Sequence, residues 1–155
     1  MSRTVIIGVG NEFRGDDGIG REVVRRLEGR VPDDVDLRES SGEALSLIEL
    51  WGGASKVILV DAADADGEPG KVERMDASQE ALPSAFFHAS THAFSVADGI
   101  EMARSLGQLP QTVIVFAIQG QHFDHGKGLS VPADRGVADA LNHILAEVSR
   151  DAAET

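Results

Sequence analysis

Three short apolar runs constrain the fold of this chain most: residues 4–10 (TVIIGVG), 56–64 (KVILVDAAD) and 111–118 (QTVIVFAI). Each run is nearly continuous rather than alternating between apolar and polar residues, which is typical of strands buried on both faces. Segments with helical spacing of apolar residues separate the runs, and parallel strands need such crossovers. The pattern predicts an α/β fold with a mostly parallel, twisted sheet and helices on both of its faces.

Weaker segments complete a sheet of about five strands. The other predicted elements are strands at 35–40 and 71–75 and helices at 18–28, 42–52 and 93–106, followed by a closing amphipathic helix around 137–148. Residues 1–150 are expected to form one domain of this kind, which we class as phosphorylase/hydrolase-like. Residues 151–155 are expected to be frayed.

Charge and cysteine content exclude several classes of function. The formal net charge of -12 argues against nucleic acid and anionic membranes as partners, because both require basic patches. The chain has no cysteine, which excludes disulfides, thiolate metal ligands and a cysteine nucleophile. The N-terminal residues lack an apolar segment long enough for a signal peptide or a membrane span, so we expect a cytoplasmic protein without membrane insertion.

The glycine-rich stretch IIGVGNEFRGDDGIG, residues 6–20, resembles a nucleotide-binding loop in its glycine content. Phe13 stands where the dinucleotide fingerprint needs its third glycine, and no Gly-Lys-Ser/Thr follows. Glu12, Asp16 and Asp17 would also repel a phosphate held at the start of the next helix. A degenerate nucleotide-binding domain is therefore the less favoured alternative.

The paired aspartates of this stretch suggest two different roles. An aspartate ahead of a helix accepts hydrogen bonds from the first N–H groups and complements the helix dipole. We expect Asp16 or Asp17 to cap the following helix in this way. A cap needs only one of them, which leaves the other for a different task.

Three side chains of metal-ligand type fall at the predicted carboxyl edge of the sheet, where ligands bind in such folds. Asp17 follows the first strand, Asp61 closes the third, and His92 precedes the helix that leads to the last strand. Two carboxylates and one imidazole suit nickel, zinc, manganese or iron, and three protein ligands leave positions open for substrate or water.

Each histidine and aspartate also has a purely structural interpretation. Asp61 alone could be a turn residue, and His92 alone could cap its helix. His88 competes with His92 as a ligand, and His143 is expected at the surface. The two histidines of QHFDHG, His122 and His125, could form a separate weak metal site, although a solvated loop is the simpler interpretation.

At these residues the chain resembles the hydrogenase maturation protease family. The family's first signature, G-x-G-N followed by D-D/E-x-x-G, appears as GVGNEFRGDDGIG. Its acidic residue after an apolar strand appears in VILVDAAD, its histidine element in STHAFSVADGI, and its late glycine-rich loop in GKGLS, residues 126–130. The signatures occur in the family's order and cover nearly the whole chain.

The resemblance implies an aspartyl-endopeptidase-like enzyme that removes the C-terminal extension of a nickel–iron hydrogenase large-subunit precursor. It implies that Asp17, Asp61 and His92 are both the nickel-recognition residues and the catalytic residues. It also implies that the nickel arrives already loaded in the precursor, and that zinc or cadmium can take its place in a crystal. We expect the precursor to be the partner of a monomer or weak homo-oligomer.

The reaction mechanism stays open at the level of sequence. No serine or threonine stands in a nucleophile-elbow pattern. A metal could polarise the scissile carbonyl or activate water, and Asp17 or Asp61 could take the proton of that water. Nickel could instead serve only for recognition while another group performs the chemistry. The rival from a different class is a non-catalytic module that senses or docks on a metalloprotein.

Overall fold

A five-stranded sheet forms the centre of the molecule. The computed structural model describes residues 3–64, 67–82 and 96–154. Its strands are β1 (Thr4–Val9), β2 (Val35–Ser40), β3 (Lys56–Ala63), β4 (Val72–Asp76) and β5 (Thr112–Gln119). Their order across the sheet is β2-β1-β3-β5-β4, with all neighbours parallel except β4, which runs antiparallel to β5. The predicted mostly parallel sheet is confirmed.

Four α-helices cover the two faces of the sheet. They are α1 (Ile19–Leu27), α2 (Ala44–Leu50), α3 (Val96–Ser105) and α4 (Val131–Glu154), and a 3-10 helix spans Gly15–Gly18 ahead of α1. Helix α1 contacts α4 on one face, and α2 contacts α3 on the other. The part of the predicted third helix before Val96 lies outside the described residues.

The last helix differs most from its prediction. Helix α4 runs from Val131 to Glu154, whereas we expected a helix around 137–148. The expected fraying of residues 151–155 stays a prediction. The described helices, α4 included, do not combine the length and the apolar character that crossing a membrane requires.

Two apolar layers hold the helices on the sheet, as the strand patterns predict. Alternate residues of β1 enter different layers: Ile6 packs with α1 and α4, while Val5 and Ile7 pack with α2 and α3. All three side chains are fully buried. The continuous apolar runs therefore arise because both faces of each central strand are covered.

Glycines allow α1 to lie directly against the sheet. A Cβ atom on Gly20 would collide with the carbonyl oxygens of Val9 and Val60, and one on Gly8 would collide with the carbonyl oxygen of Gly20. Only glycine permits so close an approach of helix to strand. The contact brings the start of α1 over the carboxyl ends of β1 and β3. With it comes the turn before α1 that carries Asp16 and Asp17 (residues 10–18), which we call the acidic turn.

Candidate functional site

Asp17 lies in the 3-10 helix that follows β1, and its side chain is only 4% exposed. Its Oδ2 accepts a hydrogen bond of 2.9 Å from the backbone N–H of Asn11. Nη1 of Arg14 lies 4.0 Å from Oδ2 of Asp17, which is the outer limit of an ion pair. The carboxylate is therefore enclosed by the turn without being closely neutralised by it.

The turn that encloses Asp17 depends on Gly10 and Asn11. Gly10 has φ of +143°, and a Cβ atom there would collide with the carbonyl oxygen of Asp17, so only glycine fits. Oδ1 of Asn11 accepts a 2.9 Å hydrogen bond from the N–H of Phe13, an Asx turn that stabilises the loop. The glycine-rich pattern thus serves a tight turn around a carboxylate.

Asp61 lies within β3 near its carboxyl end, so it does not close the strand as predicted, because β3 continues through Ala62 to Ala63. The pairing of β1 with β3 ends at Gly8 and Val60. Beyond that point β3 still pairs with β5, where Asp61 lies opposite Ala117. Its side chain is 4% exposed, and its Oδ1 accepts a 2.8 Å hydrogen bond from the N–H of Ala62.

Burial and the neighbouring charge of Asp17 both act on the Asp61 carboxyl. Burial, followed by the negative charge of Asp17, raises the pKa of the Asp61 carboxyl well above its usual value, and the Ala62 N–H opposes this only in part. No ion pair between Asp61 and a basic side chain is found among the described residues. Two buried carboxylates with this little compensation form a donor set that a divalent cation would stabilise.

The third predicted ligand, His92, lies outside the described residues, as does its competitor His88. Within the parts of the chain that are described, no three acidic or histidine side chains are grouped so as to hold a metal ion. The structure thus brings together Asp17 and Asp61, and whether His92 joins them stays a prediction. His122 and His125 have exposed side chains in the loop between β5 and α4, and neither belongs to a group of three potential ligands among the described residues.

Neither aspartate caps α1, so that prediction was wrong. The residue at the N-cap of α1 is Gly18, and no side chain bonds to the first N–H groups there. Asp16 instead turns away and is fully buried against the loop between β5 and α4. Burial acts to raise the pKa of Asp16, but hydrogen bonds from His122, Ser130 and Gln121 outweigh it, so its pKa is lowered.

Ser130 is the partner that sequence reasoning missed. Its hydroxyl donates a 2.7 Å hydrogen bond to Asp16 and accepts one from the N–H of Ala133 in the first turn of α4. A serine directly before a helix is an N-cap signal, and GKGLS carries that signal. The partnership with Asp16, 114 residues away, has no local signature. His143, by contrast, is exposed on α4 as expected.

A cleft of about 250 Å³ opens beside the acidic turn. It is lined by Gly10, Asn11, Glu12, Phe13, Arg21 and Ser41, and Phe13 is 56% exposed. Asn11 also donates to Asp17, so the cleft and the carboxylate share one turn.

Sequence comparisons find one family model and several relatives that are similar to this chain. The model for HycI, described as hydrogenase maturation protease, matches residues 21–147, a range that includes Asp61 and begins just after Asp17. A putative hydrogenase maturation protease of Methanocaldococcus jannaschii is 33% identical over 155 residues, which cover 94% of this chain and 96% of that protein. The hydrogenase 2 maturation protease of Escherichia coli is 25% identical, over 98% of this chain and 94% of that protein.

Solved structures share the architecture. The hydrogenase maturating endopeptidase HybD from Escherichia coli superposes with a TM-score of 0.81 at 22% identity, over 96% of this chain and 93% of that one. The maturation protease HybD from Thermococcus kodakarensis gives a TM-score of 0.77 at 24% identity, over 94% and 99% of the two chains. At these identities the likeness shows a common fold across nearly the whole of each chain.

Proposed function

The chain belongs to the hydrogenase maturation protease family, a family of endopeptidases, and we propose that it removes the C-terminal extension of a nickel–iron hydrogenase large-subunit precursor. We propose further that it recognises nickel already held by that precursor, and that Asp17, Asp61 and His92 are the residues that do so. The nickel is thus part of the substrate.

The pair of buried carboxylates is the observation that supports nickel recognition. Asp17 and Asp61 come from different elements and are each 4% exposed, and burial together with the negative charge of Asp17 raises the pKa of Asp61. Such an arrangement destabilises the free enzyme unless a cation approaches. A nickel-bearing substrate would supply that cation, and a precursor without nickel would not.

Peptide-bond hydrolysis needs an acceptor for the proton of the attacking water. Water adds to the scissile carbonyl carbon, the C–N bond breaks, and the proton finally reaches the leaving amine. Asp17 and Asp61 are carboxylates that can bind the cation or accept this proton. The two tasks separate in kinetics: loss of a group that only binds raises KM, whereas loss of the proton acceptor lowers kcat.

The direct test is incubation of the purified enzyme with the precursor in nickel-loaded and nickel-free forms, followed by mass spectrometry. We expect only the loaded precursor to lose mass at its C-terminus. Asp17→Asn, Asp61→Asn and His92→Ala should each stop cleavage, because an amide is a poor ligand for a dication and alanine is none.

Two matched variants serve as controls in the same assay. His88→Ala removes the neighbouring histidine, and Asp64→Asn removes an exposed carboxylate just after β3. Both should cleave normally. Full cleavage by His92→Ala with loss in His88→Ala would transfer the ligand role to His88. Binding of the precursor without any mass change would favour the docking-module interpretation over the endopeptidase.

For the setting of the reaction, we propose a cytoplasmic monomer or weak homo-oligomer. A net charge of -12 disfavours self-association. Light scattering coupled to size exclusion tests this proposal, and a concentration-independent dimer mass would contradict it.

A further inference from the structure

Asp16 makes four hydrogen bonds to the loop between β5 and α4, although it lies beside the predicted nickel-recognition residue. Its Oδ2 accepts from the N–H groups of Gln121 (2.7 Å) and His122 (3.0 Å) and from the hydroxyl of Ser130 (2.7 Å). Its Oδ1 accepts from the N–H of Ser130 (2.8 Å). We call this set of contacts the Asp16 clamp. With its oxygens occupied in this way and no exposed surface, Asp16 is not placed to bind a ligand.

The backbone reinforces the Asp16 clamp. The N–H of Asp16 donates to the carbonyl of His122 (2.7 Å), and the N–H of Gly15 donates to that of Gly126 (2.8 Å). Gly126 in turn donates its N–H to the carbonyl of Phe13 (2.8 Å). The acidic turn is therefore bonded along its length to a loop more than 100 residues later in the chain.

The same turn fixes the position of Asp17. It follows Asp16 within the 3-10 helix, where its N–H donates to the carbonyl of Arg14 (3.1 Å). A shift of Asp16 would therefore carry Asp17 with it. Misplacement of a reacting group by about 1 Å can lower the rate by about 100-fold.

We propose that Asp16 and Ser130 are positioning residues, which hold Asp17 in place by tying the acidic turn to the start of α4. This gives the adjacent aspartates different tasks: Asp16 fixes the turn, and Asp17 faces the substrate. It also gives a reason for the glycine-rich GKGLS loop, which must bend so that both the N–H and the hydroxyl of Ser130 reach one carboxylate. The consequence for cleavage rests on the proposed function, whereas the consequence for the position of Asp17 does not.

The Asn11 N–H is a built-in reporter of that position, because it donates to Asp17. We would measure its NMR shift and hydrogen exchange in Ser130→Ala and Asp16→Asn, together with Tm and with kcat for the loaded precursor. Both variants should speed exchange at Asn11 by at least about 10-fold and lower kcat by about 10- to 100-fold. Ser130→Thr keeps the hydroxyl and should restore both readouts.

Ser78→Ala is the matched control. The Ser78 hydroxyl oxygen accepts a 2.8 Å hydrogen bond from the N–H of Val113, at the start of β5 and so at the other end of the sheet. Its loss should lower Tm without changing Asn11 exchange or kcat. If Asp16→Asn does not fold, Ser130→Ala carries the test alone.

The outcomes separate the positioning role from the proposed function. Unchanged Asn11 exchange and kcat in folded Ser130→Ala would overturn the positioning role. So would equal losses in Ser78→Ala, since they would reflect general destabilisation. If the wild-type enzyme cleaves no precursor, the proposed function fails, and the Asn11 reporter by itself decides whether the Asp16 clamp positions Asp17.

Discussion

Two buried carboxylates, Asp61 at the carboxyl edge of the sheet and Glu147 on α4, are almost equally hidden from solvent, at 4% and 5% exposure. Glu147 is 2.9 Å from Nζ of Lys56 and accepts bonds of 2.8 and 3.0 Å from Arg74. Hydrogen bonds from Arg74, opposed by burial but aided by Lys56, lower the pKa of Glu147 to about 2. Asp61 has no such cationic partners among the described residues, and burial followed by the charge of Asp17 raises its pKa.

The comparison shows that burial alone does not indicate what a charged residue does. A buried carboxylate with two cations joins β3, β4 and α4 and can be explained by the fold. A buried carboxylate beside another carboxylate opposes folding and needs a different explanation. That explanation is the substrate's cation in the function proposed above.

The largest expected effect is on catalysis. Asp61→Asn should reduce cleavage of the nickel-loaded precursor by at least about 100-fold, the scale of a group acting in the reaction centre. The same change should raise Tm at pH 7, because burial penalises ionisation of Asp61 and an amide does not ionise, while the amide oxygen can still accept from Ala62. Each kcal/mol gained is worth about 2–4 °C in a chain of this size.

Asp64→Asn, at an exposed position just after β3, is the control for both measurements and should change neither. A drop in Tm for Asp61→Asn would mean that its carboxylate has a compensating partner in the folded enzyme. The comparison with Glu147 would then fail.

Glu147→Gln should have the next largest effect, and on stability rather than on cleavage. A shift from 4.5 to about 2 corresponds to about 3 kcal/mol when the unfolded chain titrates normally. Because Arg74 is 44% exposed, we expect a loss nearer 2 kcal/mol, or roughly 4–8 °C in Tm. Thermal unfolding measures the loss, and kcat at a temperature where the variant is folded should be normal.

Asp139→Asn tests whether the location on α4 matters by itself. Asp139 is exposed on the same helix, where its removal should change stability by less than about 0.5 kcal/mol. Equal losses of stability in Asp139→Asn and Glu147→Gln would mean that the ion pairs of Glu147 do not account for its effect.

The sequence was sufficient to predict the strands and helices, because the apolar patterns that specify them are local in sequence. Continuous apolar runs at β1, β3 and β5 predict central strands, and the pattern of VILVDAAD places Asp61 at their carboxyl end. The amphipathic helices α1 and α2 were predicted for the same reason, to within about two residues at their ends, whereas α4 extends well beyond both ends of its predicted range. Asp17 and Asp61 were chosen from their places after these strands and from the family resemblance.

The partners of charged residues could not be predicted, because they are distant in sequence. Asp16 and Asp17 are identical neighbours, and only contacts made more than 100 residues away distinguish them. The pairing of Glu147 with Lys56 spans 91 residues. Local propensity favoured a helix cap at the paired aspartates, but the tertiary contacts of Asp16 prevailed.

Opposite pH dependences should follow from the two pKa shifts. The folded pKa of Glu147 is depressed, so its stabilisation is present above pH 4.5 and is lost as pH falls toward 2. The folded pKa of Asp61 is raised, so its penalty is absent below pH 3.8 and grows as pH rises. The Tm deficit of Glu147→Gln should shrink between pH 5 and 3.5, whereas the Tm gain of Asp61→Asn should vanish there. Parallel profiles would contradict the assignment of opposite shifts.

The smallest effect, and the sharpest test, is the sign of two pairwise couplings. Asp17→Asn and Asp61→Asn both remove one repulsion, so the double variant should gain about 1 kcal/mol less stability than the two single gains added together. Glu147→Gln and Lys56→Met both remove one attraction, so their double variant should lose less than the two single losses added together. Double-mutant cycles from urea unfolding measure both couplings.

Opposite signs of the two couplings would mean that the repulsion between Asp17 and Asp61 is present in the folded enzyme before any substrate binds, so that a cation can relieve it. A coupling near zero between positions 17 and 61 would mean that the two carboxylates do not act on each other in solution, and the cation-recognition site would lose its physical basis.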